Sequence, residues 1–431
     1  MIIQFNLIEF NPIQADCIEF NSMSSYTDAT TPAIEHCEAM ALQHADLKAT
    51  YESLANFFTH KLWHQLTVAC LDLFRDETKV RTTATNGANS FLVLFTLLET
   101  CQVDKRLNSL SFAQMAHFVS QSLLATDPTA SKAILEGLLE KKARLGVPAT
   151  VYLDSQLGLL QLWIMEHSKE PLPEKELMAI QERLETNHKI IHEMILDNTN
   201  QESSIVHSSH YLCGMKYRKA VGPPEAFYEQ AISYLNYTPL EQVQQPVQLA
   251  VDLSLAALTG EGVFHLGELV TTPILSVLQD TDKAWLMHLL QSMAKGDVEE
   301  FERLSGLYAT QIQAEPALMA RKETVQEKMM LLALVTLIFE RPSSERCLTF
   351  ADIAKRTKSP HVEHMVMRAL SLSLIQGSLD EIDQTVQVTW VMPRVLTKEQ
   401  MADLASHFGT WAIKVSQTKD TMTEQTPVLF T

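Results

Sequence analysis

Two pairs of histidines are the residues of this chain whose spacing could build a metal site. His60 and His64, and His188 and His192, lie four residues apart, so each pair could share one face of a helix. A zinc site needs a third ligand and hydrogen-bond partners that orient the rings. Neither pair lies in an H-E-x-x-H motif. We therefore predict no metal site and interpret these histidines as core or surface side chains.

A glycine-containing segment, GEGVFHLGE at residues 260–268, is the next candidate, since glycine-rich loops can bind phosphate. It lacks the G-K-[ST] ending of a P-loop, and the strand that a dinucleotide site requires does not precede it. Gly260 is instead expected to end the preceding helix, and Phe264 and Leu266 to begin a packed connector. The sequence also lacks G-x-S-x-G and protein-kinase motifs. We therefore predict a protein that is not an enzyme and binds no cofactor.

The cysteines and the apolar runs indicate where such a protein would reside. The six cysteines include no C-x-x-C pair and mostly lie in apolar helical runs, which is typical of buried, reduced thiols inside cells. The most apolar run, residues 329–339, is too short to span a bilayer, and residues 1–20 lack the basic start of a secretory signal. We therefore expect the protein in the cytoplasm and nucleus, without membrane contact.

Residues 348–396 contain the clearest pattern of elements that could position a binding surface. Thr349 precedes a short apolar-periodic helix that it can cap, and Pro360 stands where a second helix is expected to start. A β-ribbon follows, and its first strand begins at Gln376. Two helices joined by a turn and followed by a β-ribbon are typical of a winged helix. We place this module at about residues 343–393.

The wing of this module is predicted to bind another protein. In its second strand Val386, Val388 and Trp390 alternate, and we expect all three side chains to point inward. An exposed sheet edge is a template for a further strand, so residues 376–390 are predicted to pair edge to edge with the wing of a neighbouring subunit. The alternative is a strand that packs only against its own helices.

Winged helices often bind DNA, but the charges of this one argue against that function. Its basic residues include Lys355, Arg356, Lys358 and Arg368, and its acidic residues include Asp352, Glu363, Asp380, Glu381 and Asp383. DNA binding depends on lysines and arginines that neutralise phosphates. The chain as a whole carries a formal net charge of −18, which would repel a polyanion at long range. We therefore predict that the chain binds no nucleic acid.

Residues 41–257 read as helix after helix with short breaks, such as Asp127-Pro128 and Gly222-Pro223-Pro224. Only 13 glycines and 7% aromatic residues also fit a helix-rich chain. One continuous apolar stripe is formed by Leu54, Phe57, Phe58, Leu62, Leu66, Ala69 and Leu73. Repeated helices at this scale predict a tetratricopeptide-like α-solenoid, whose extended surface usually binds proteins. The alternative is an irregular helical domain, and residues 1–40 are interpreted as an N-terminal extension.

After Pro393 the sequence returns to a helical pattern, which we place at residues 397–420, with a tail at 421–431. Thr397 and Gln400 have the spacing of a capping box. Five apolar residues then step by three, four, three and four, and these are Met401, Leu404, Phe408, Trp411 and Val415. Such a seam is typical of a helix in a bundle. The bundle could be completed by the chain's own domain or by helices of other subunits.

Several segments resemble the PCI-domain subunits of the 26S proteasome lid. A PCI domain joins a helical segment to a winged helix, and we place it here at residues 258–396. The resemblance covers about residues 45–420, and GEGVFHLGEL and WVMPRVL are its most specific parts. The segments that carry it are KLWHQLTVACLDLF (61–74), LTGEGVFHLGELVTTPILSVL (258–278), WLMHLLQSMAKGDVEEFERL (285–304), LTFADIAKR (348–356) and GSLDEIDQTVQVTWVMPRVL (377–396).

This resemblance implies a mainly α fold and a non-catalytic scaffold within a hetero-oligomer. The implied partners are other PCI subunits of the lid, the ubiquitin-receptor subunit and the dimer that carries the deubiquitinase. Lid subunits gather their C-terminal helices into a shared bundle, so deleting residues 398–431 is predicted to leave a folded monomer that fails to join the lid. The alternatives are a PCI subunit of the signalosome or of the translation initiation factor complex, or a nucleic-acid-associated winged-helix PCI protein.

Overall fold

The computed structural model describes residues 30–76, 90–124, 127–167, 174–196, 203–341, 346–395 and 398–425. These residues are mainly helical, with a small antiparallel sheet near the C-terminus, which confirms the predicted fold class. They form two compact units. The first contains the described residues up to Ile134 together with Ala143–Leu145, and the second contains Leu135–Lys142 and the described residues from Gly146 onward.

The first unit is built from short helices that bury one face each. They are α1 (Thr31–Gln43), α2 (Lys48–Thr59), α3 (Trp63–Arg75), α4 (Ser90–Thr100) and α5 (Ser109–Leu124), while α6 (Pro128–Glu140) and α7 (Lys142–Leu145) contribute residues to both units. Helix α1 packs against α2 and α4, α2 against α3, and α3 against α5. Phe91, Leu94, Phe95 and Leu98 are all buried on α4, as their helical spacing predicts.

Two helices replace the single apolar stripe that the sequence predicts between residues 54 and 73. Helix α2 ends before His60, and Lys61 has a φ of 56°, in the left-handed region, so the chain turns before α3 begins. Leu62 lies in this turn and is 42% exposed rather than part of the core. His64 belongs to α3, so it does not share a helix face with His60.

Helix α1 begins within the region that the sequence analysis assigns to an N-terminal extension. Ala33, Cys37 and Met40 of this helix are buried, and α1 packs against α2. The burial makes α1 part of the first unit. Residues 1–29 lie outside the described residues.

The second unit begins with a longer series of helices. They are α8 (Val147–His167), α9 (Glu174–Leu196), α10 (Ser203–Val221), α11 (Pro224–Tyr237), α12 (Pro246–Thr259), α13 (Leu266–Thr271), α14 (Ala284–Lys295), α15 (Val298–Leu307), α16 (Ala309–Ala314), α17 (Pro316–Ala320) and α18 (Lys322–Glu340). Helix α10 packs against both α8 and α11, and α11 packs against α12. One apolar core runs from Tyr211 to Met392, so packing is continuous across the predicted domain boundary at residues 257 and 258.

The winged helix completes this core. Its elements are β1 (Cys347–Thr349), α19 (Phe350–Thr357), α20 (Val362–Ser371), β2 (Ile375–Asp380) and β3 (Thr385–Val391), and the sheet order is β1-β3-β2 with antiparallel pairs. Thr349 caps α19 as predicted, since its hydroxyl accepts a hydrogen bond from the Asp352 backbone N–H at 3.2 Å. Pro360 precedes the N-cap His361 rather than starting α20. Strand β1 was not predicted, and it adds the buried Leu348 to the core.

The second wing strand departs from the predicted alternation at Trp390. Val386 and Val388 are buried, but the Trp390 side chain is 40% exposed. The cause is a β-bulge, because Gly377 pairs with Val388 whereas the adjacent Gln376 pairs with Trp390, which gives β3 one extra residue. The extra residue shifts the alternation by one position. The prediction that Trp390 points into the core is therefore wrong.

The last element is α21 (Lys398–Gln425), a helix of 28 residues. It starts close to the predicted position and runs beyond the predicted end at residue 420. Thr397, the predicted cap, lies outside the described residues. Every described side chain from Met401 to Met422 is exposed.

Candidate protein-interaction surfaces

The sheet of the winged helix offers its outer strands, and not β3, for pairing with another chain. Strand β3 is hydrogen-bonded on one side to β1 and on the other to β2. Val386 and Val388 are only 1% and 4% exposed, so the prediction that they contact a partner is wrong: they pack in the chain's own core. Among the described strands β2 pairs only with β3 and keeps one open edge. Pairing through the wing stays a prediction, now confined to β2 and the exposed Trp390.

Two basic residues of the winged helix are engaged by carboxylates of the same unit. The Lys358 ammonium lies 2.8 Å from Glu302, and Arg368 lies 3.2 Å from Glu327. These exposed ion pairs add little to the free energy of unfolding. They do neutralise cations that a nucleic-acid phosphate would need. The charge arrangement therefore favours a protein-binding role for this module.

Helix α21 presents an extended, exposed apolar face. Its predicted seam residues are between 43% and 65% exposed, and they are Met401, Leu404, Phe408, Trp411 and Val415. The described rest of the chain therefore does not cover the seam, and the alternative of packing within the chain's own domain finds no support. A helix in water gains most of its stability from burying an apolar face. This face accordingly needs a partner from outside the described residues.

The chain leading toward α21 is held against α13 by a close approach at a glycine. A Cβ atom added to Gly267 would lie 2.9 Å from the Cβ of Val395, a distance that real Cβ contacts essentially never show. Gly267 belongs to GEGVFHLGEL and Val395 belongs to WVMPRVL. The two most specific segments of the sequence thus meet in space, and only the absence of a side chain at Gly267 lets them do so.

Arg394 anchors the same stretch of chain to two helices. Its guanidinium donates hydrogen bonds to the hydroxyl of Thr336 on α18 and to the backbone carbonyl of Ala294 near the end of α14. Gly296 ends α14 with a φ of 71°, and a Cβ there would collide with Thr336. Burial lowers the pKa of the Arg394 guanidinium, which stays charged at neutral pH. The two hydrogen bonds of the Arg394 guanidinium, called the Arg394 fork below, hold the residues that follow β3 against helices α14 and α18.

Lys328 holds the turn at residues 260–264 (GEGVF) in a similar way, by hydrogen bonds to backbone carbonyl groups. Its side chain is buried, and its ammonium donates to the carbonyl oxygens of Ala257 at 2.6 Å and Gly260 at 2.8 Å. These oxygens lie at the C-terminal end of α12, where a positive charge is stabilising. Burial lowers the pKa of Lys328 to about 7, and the Glu225 carboxylate opposes that shift. Gly260 follows α12 as its C-cap, as predicted.

Two further groups complete this turn. Arg321 donates to the carbonyl of Thr259 at 3.1 Å, and Glu225 accepts from the backbone N–H of Glu261 at 2.7 Å. The carboxylate of Glu225 lies 3.6 Å from Arg321. The segment is therefore a joint between α11, α12 and α18, which agrees with the prediction that it is not a phosphate-binding loop.

Several histidines, His188, His207 and His210 among them, lie in aromatic contacts. His207 stacks on Tyr237 with ring centroids 4.7 Å apart, and His188 faces His210 at 6.1 Å. Burial, together with the nearby His188 and His207, lowers the pKa of His210 to about 4, so its ring is neutral at physiological pH. Within the described ranges, no three histidine, cysteine, aspartate or glutamate side chains are grouped to hold a metal.

Not one of the helices that the structure describes is both long enough and apolar enough to cross a bilayer.

Sequence reasoning missed the anchoring roles of Lys328 and Arg394. A signal for Lys328 was present, since it is a single cation beside the most apolar run of the chain, KMMLLALVTLIF. A buried lysine at such a position needs oxygen partners. Arg394 offered no local signal, because its partners lie 58 and 100 residues away in the chain.

Two family models match this chain. The model for the PSD13 N-terminal repeats matches residues 50–290, and the PCI domain model matches residues 299–390. The first therefore covers more than half of the chain. The second ends at Trp390, within the last wing strand.

Relatives match over almost the whole length. The chain is similar to 26S proteasome non-ATPase regulatory subunit 13 homolog B of Arabidopsis thaliana, with 31% identity over 92% of this chain and 99% of that protein. It is 28% identical to 26S proteasome non-ATPase regulatory subunit 13 of Dictyostelium discoideum over 90% of this chain and 95% of that protein. It is also 28% identical to 26S proteasome regulatory subunit RPN9 of Saccharomyces cerevisiae, over 86% of this chain and 91% of that protein.

The architecture agrees with these matches. Helical repeats lead into a winged helix through one continuous core, and the two segments that resemble the family most specifically form a single joint. With a family model over more than half of its length and a 31% identical relative matched almost from end to end, this chain belongs to the family of 26S proteasome non-ATPase regulatory subunit 13.

Proposed function

We propose that this chain is a non-catalytic scaffold subunit of the lid of the 26S proteasome and supports ubiquitin-dependent protein degradation through protein contacts. The observation that carries the proposal is the exposed apolar face of α21, which the rest of the described chain leaves uncovered. A face of this kind is a binding surface awaiting another protein. Membership of the regulatory subunit 13 family supports the proteasome as the assembly that supplies it.

The proposed partners are other PCI subunits of the lid, the ubiquitin-receptor subunit and the dimer that carries the deubiquitinase. Helices of neighbouring subunits would cover α21, and the open edge of β2 would pair with the wing of another PCI subunit. The proposed location is the cytoplasm and nucleus. A scaffold role without catalysis is supported by the names of the relatives, which are regulatory subunits.

The test is incorporation of seam variants into the lid. Phe408→Glu with Trp411→Glu places two charges on the apolar face, and deletion of residues 398–431 removes the helix. Ser406→Glu with Gln417→Glu is the matched control, because these exposed positions lie on the opposite face of α21. Each variant is expressed with an affinity tag, and co-purified subunits are quantified by mass spectrometry.

The seam variants and the deletion are expected to lose the other lid subunits, while the control retains them at normal stoichiometry. Normal stoichiometry for the seam variants would show that α21 does not carry assembly. Native mass spectrometry of the unmodified complex separates the alternatives, since recovery of signalosome or initiation factor subunits instead of lid subunits would contradict the proposal.

A further inference from the structure

A cavity of about 380 Å³ in the first unit is lined, among the described residues, by three cations and by no carboxylate. We infer that it binds an oxyanion, a phosphate or carboxylate group carried by a partner polypeptide. The lining residues are Thr30, Lys61, Trp63, Thr100, Cys101, Gln102, Val103, Lys105 and Arg106. The chain as a whole carries a formal net charge of −18, so a cavity with basic side chains differs in charge from the chain around it. The negative net charge would repel an anionic ligand at long range, and the basic side chains would attract it only at short range.

Arg106 is the residue best placed to recognise a planar oxyanion. Its guanidinium lies over the ring of Trp63, 5.2 Å from the centroid, and this cation–π contact helps to hold the group at the cavity. A guanidinium presents a fork that matches the two oxygens of a carboxylate or phosphate. The ring of Trp63 adds an apolar wall against which the carbon chain of a ligand side chain can pack.

Lys105 provides a second cation on the same short helical turn. Its ammonium donates to the side-chain oxygen of Gln102 at 2.9 Å, which holds it near the cavity while two of its three N–H groups stay outside that bond. Lys61 also lines the cavity from the turn between α2 and α3, but it has another interaction and is not counted toward ligand binding. The cations proposed to bind the oxyanion are therefore Lys105 and Arg106.

The backbone around the cavity does not cancel this positive charge. Helices α2 and α4 end beside it and contribute partial negative charge, whereas α3 begins at Trp63 and contributes partial positive charge. The first turn of α3 has neither a side-chain cap nor an acidic residue. Asp104 lies between Val103 and Lys105 but does not line the cavity. Among the described lining residues, the charged side chains are therefore all basic.

The inference goes beyond the proposed function and is testable on the isolated full-length chain. Binding of a fluorescein-labelled hexaglutamate peptide is measured by anisotropy, and inorganic phosphate and O-phosphoserine are tested as competitors. The site variant is Lys105→Gln with Arg106→Gln. The matched control is Lys48→Gln with Arg75→Gln, because these cations lie at the far ends of α2 and α3 from the cavity.

The site variant is expected to weaken peptide binding at least about tenfold, the control less than about twofold, and Arg106→Lys by an intermediate factor. Binding should also weaken as salt rises. O-phosphoserine competing better than free phosphate would assign the oxyanion to a phosphorylated side chain, and competition by neither would assign it to a carboxylate. Equal weakening in the control would mean unspecific attraction to surface cations and would overturn the inference, as would failure of the peptide to bind at low salt.

Discussion

Strand β3 and helix α21 carry apolar side chains at similarly regular spacing, but the chain covers only those of the strand. Val386 and Val388 face the core of the second unit, while the seam from Met401 to Val415 is exposed along its length. Regular spacing identifies the face on which apolar groups gather. It does not identify the surface that will cover that face. The strand therefore stabilises the isolated fold, whereas the exposed apolar face of the helix contributes little buried area to it.

The largest expected loss of stability comes from placing a charge among the buried side chains of strand β3. Val386→Asp should lower the free energy of unfolding of the second unit by at least about 3 kcal/mol, because the carboxylate would be buried without a partner. Gln387→Asp is the control on the exposed face of the same strand and should cost less than about 1 kcal/mol. Chemical denaturation followed by circular dichroism measures both. Similar losses for the two variants would contradict the assigned burial.

Removal of the Arg394 fork should have the next largest effect. Arg394→Met leaves the carbonyl of Ala294 and the hydroxyl of Thr336 without this donor, at a cost of about 1–3 kcal/mol. Amide hydrogen exchange at the end of α14 and around residues 392–395 should become faster. Arg356→Met is the control, because its nearest carboxylate, Glu340, lies 3.9 Å away on the surface. Unchanged exchange would mean that the fork does not hold this joint.

The buried Lys328 predicts a smaller effect that depends on pH. Burial lowers its pKa in the fold to about 7 from the ordinary lysine value of 10.5, so between these values the unfolded chain binds more protons than the folded chain. The free energy of unfolding must then rise with pH across this window. Between pH 6.5 and 8.5 the unmodified chain should gain roughly 1–2 kcal/mol relative to Lys328→Met. If the difference in the free energy of unfolding between the unmodified chain and Lys328→Met were the same at both pH values, burial would not lower the pKa of Lys328.

The smallest effect on stability is expected for charges placed on the exposed seam of helix α21. Phe408→Glu with Trp411→Glu should change the stability of the isolated chain by no more than about 0.5 kcal/mol, as for other surface substitutions. Thermal unfolding of the isolated chain measures this. A loss comparable to that of Val386→Asp would mean that the seam packs within its own chain, and the contrast between the two regions would disappear.

Local chemistry was the part of the fold that the sequence predicted well. The capping role of Thr349 and the buried face of α4 follow from interactions within one helical turn. The turn at Lys61 was missed because its left-handed backbone interrupts a stripe whose spacing continues on both sides. Trp390 was assigned to the core because one extra residue in a strand leaves no trace in its composition.

The interaction surfaces were predictable only in part. The seam of α21 was found because it depends on spacing alone, and its exposure could not be predicted, since exposure depends on what the remaining chain covers. The cationic cavity was missed because its lining residues come from different turns of the chain. Such convergence depends on packing between elements, which spacing within one element does not encode.

The contact between Gly267 and Val395 limits how sequences of this family can diverge. An alanine at position 267 would meet Val395 at 2.9 Å, so it is tolerable only beside a smaller residue at position 395. Either change alone is costly, because one crowds the joint and the other opens a gap in it. The two positions are therefore expected to covary among relatives although they stand far apart in the chain. Evolution of the α13 glycine and of the segment that precedes α21 would then proceed by paired substitutions.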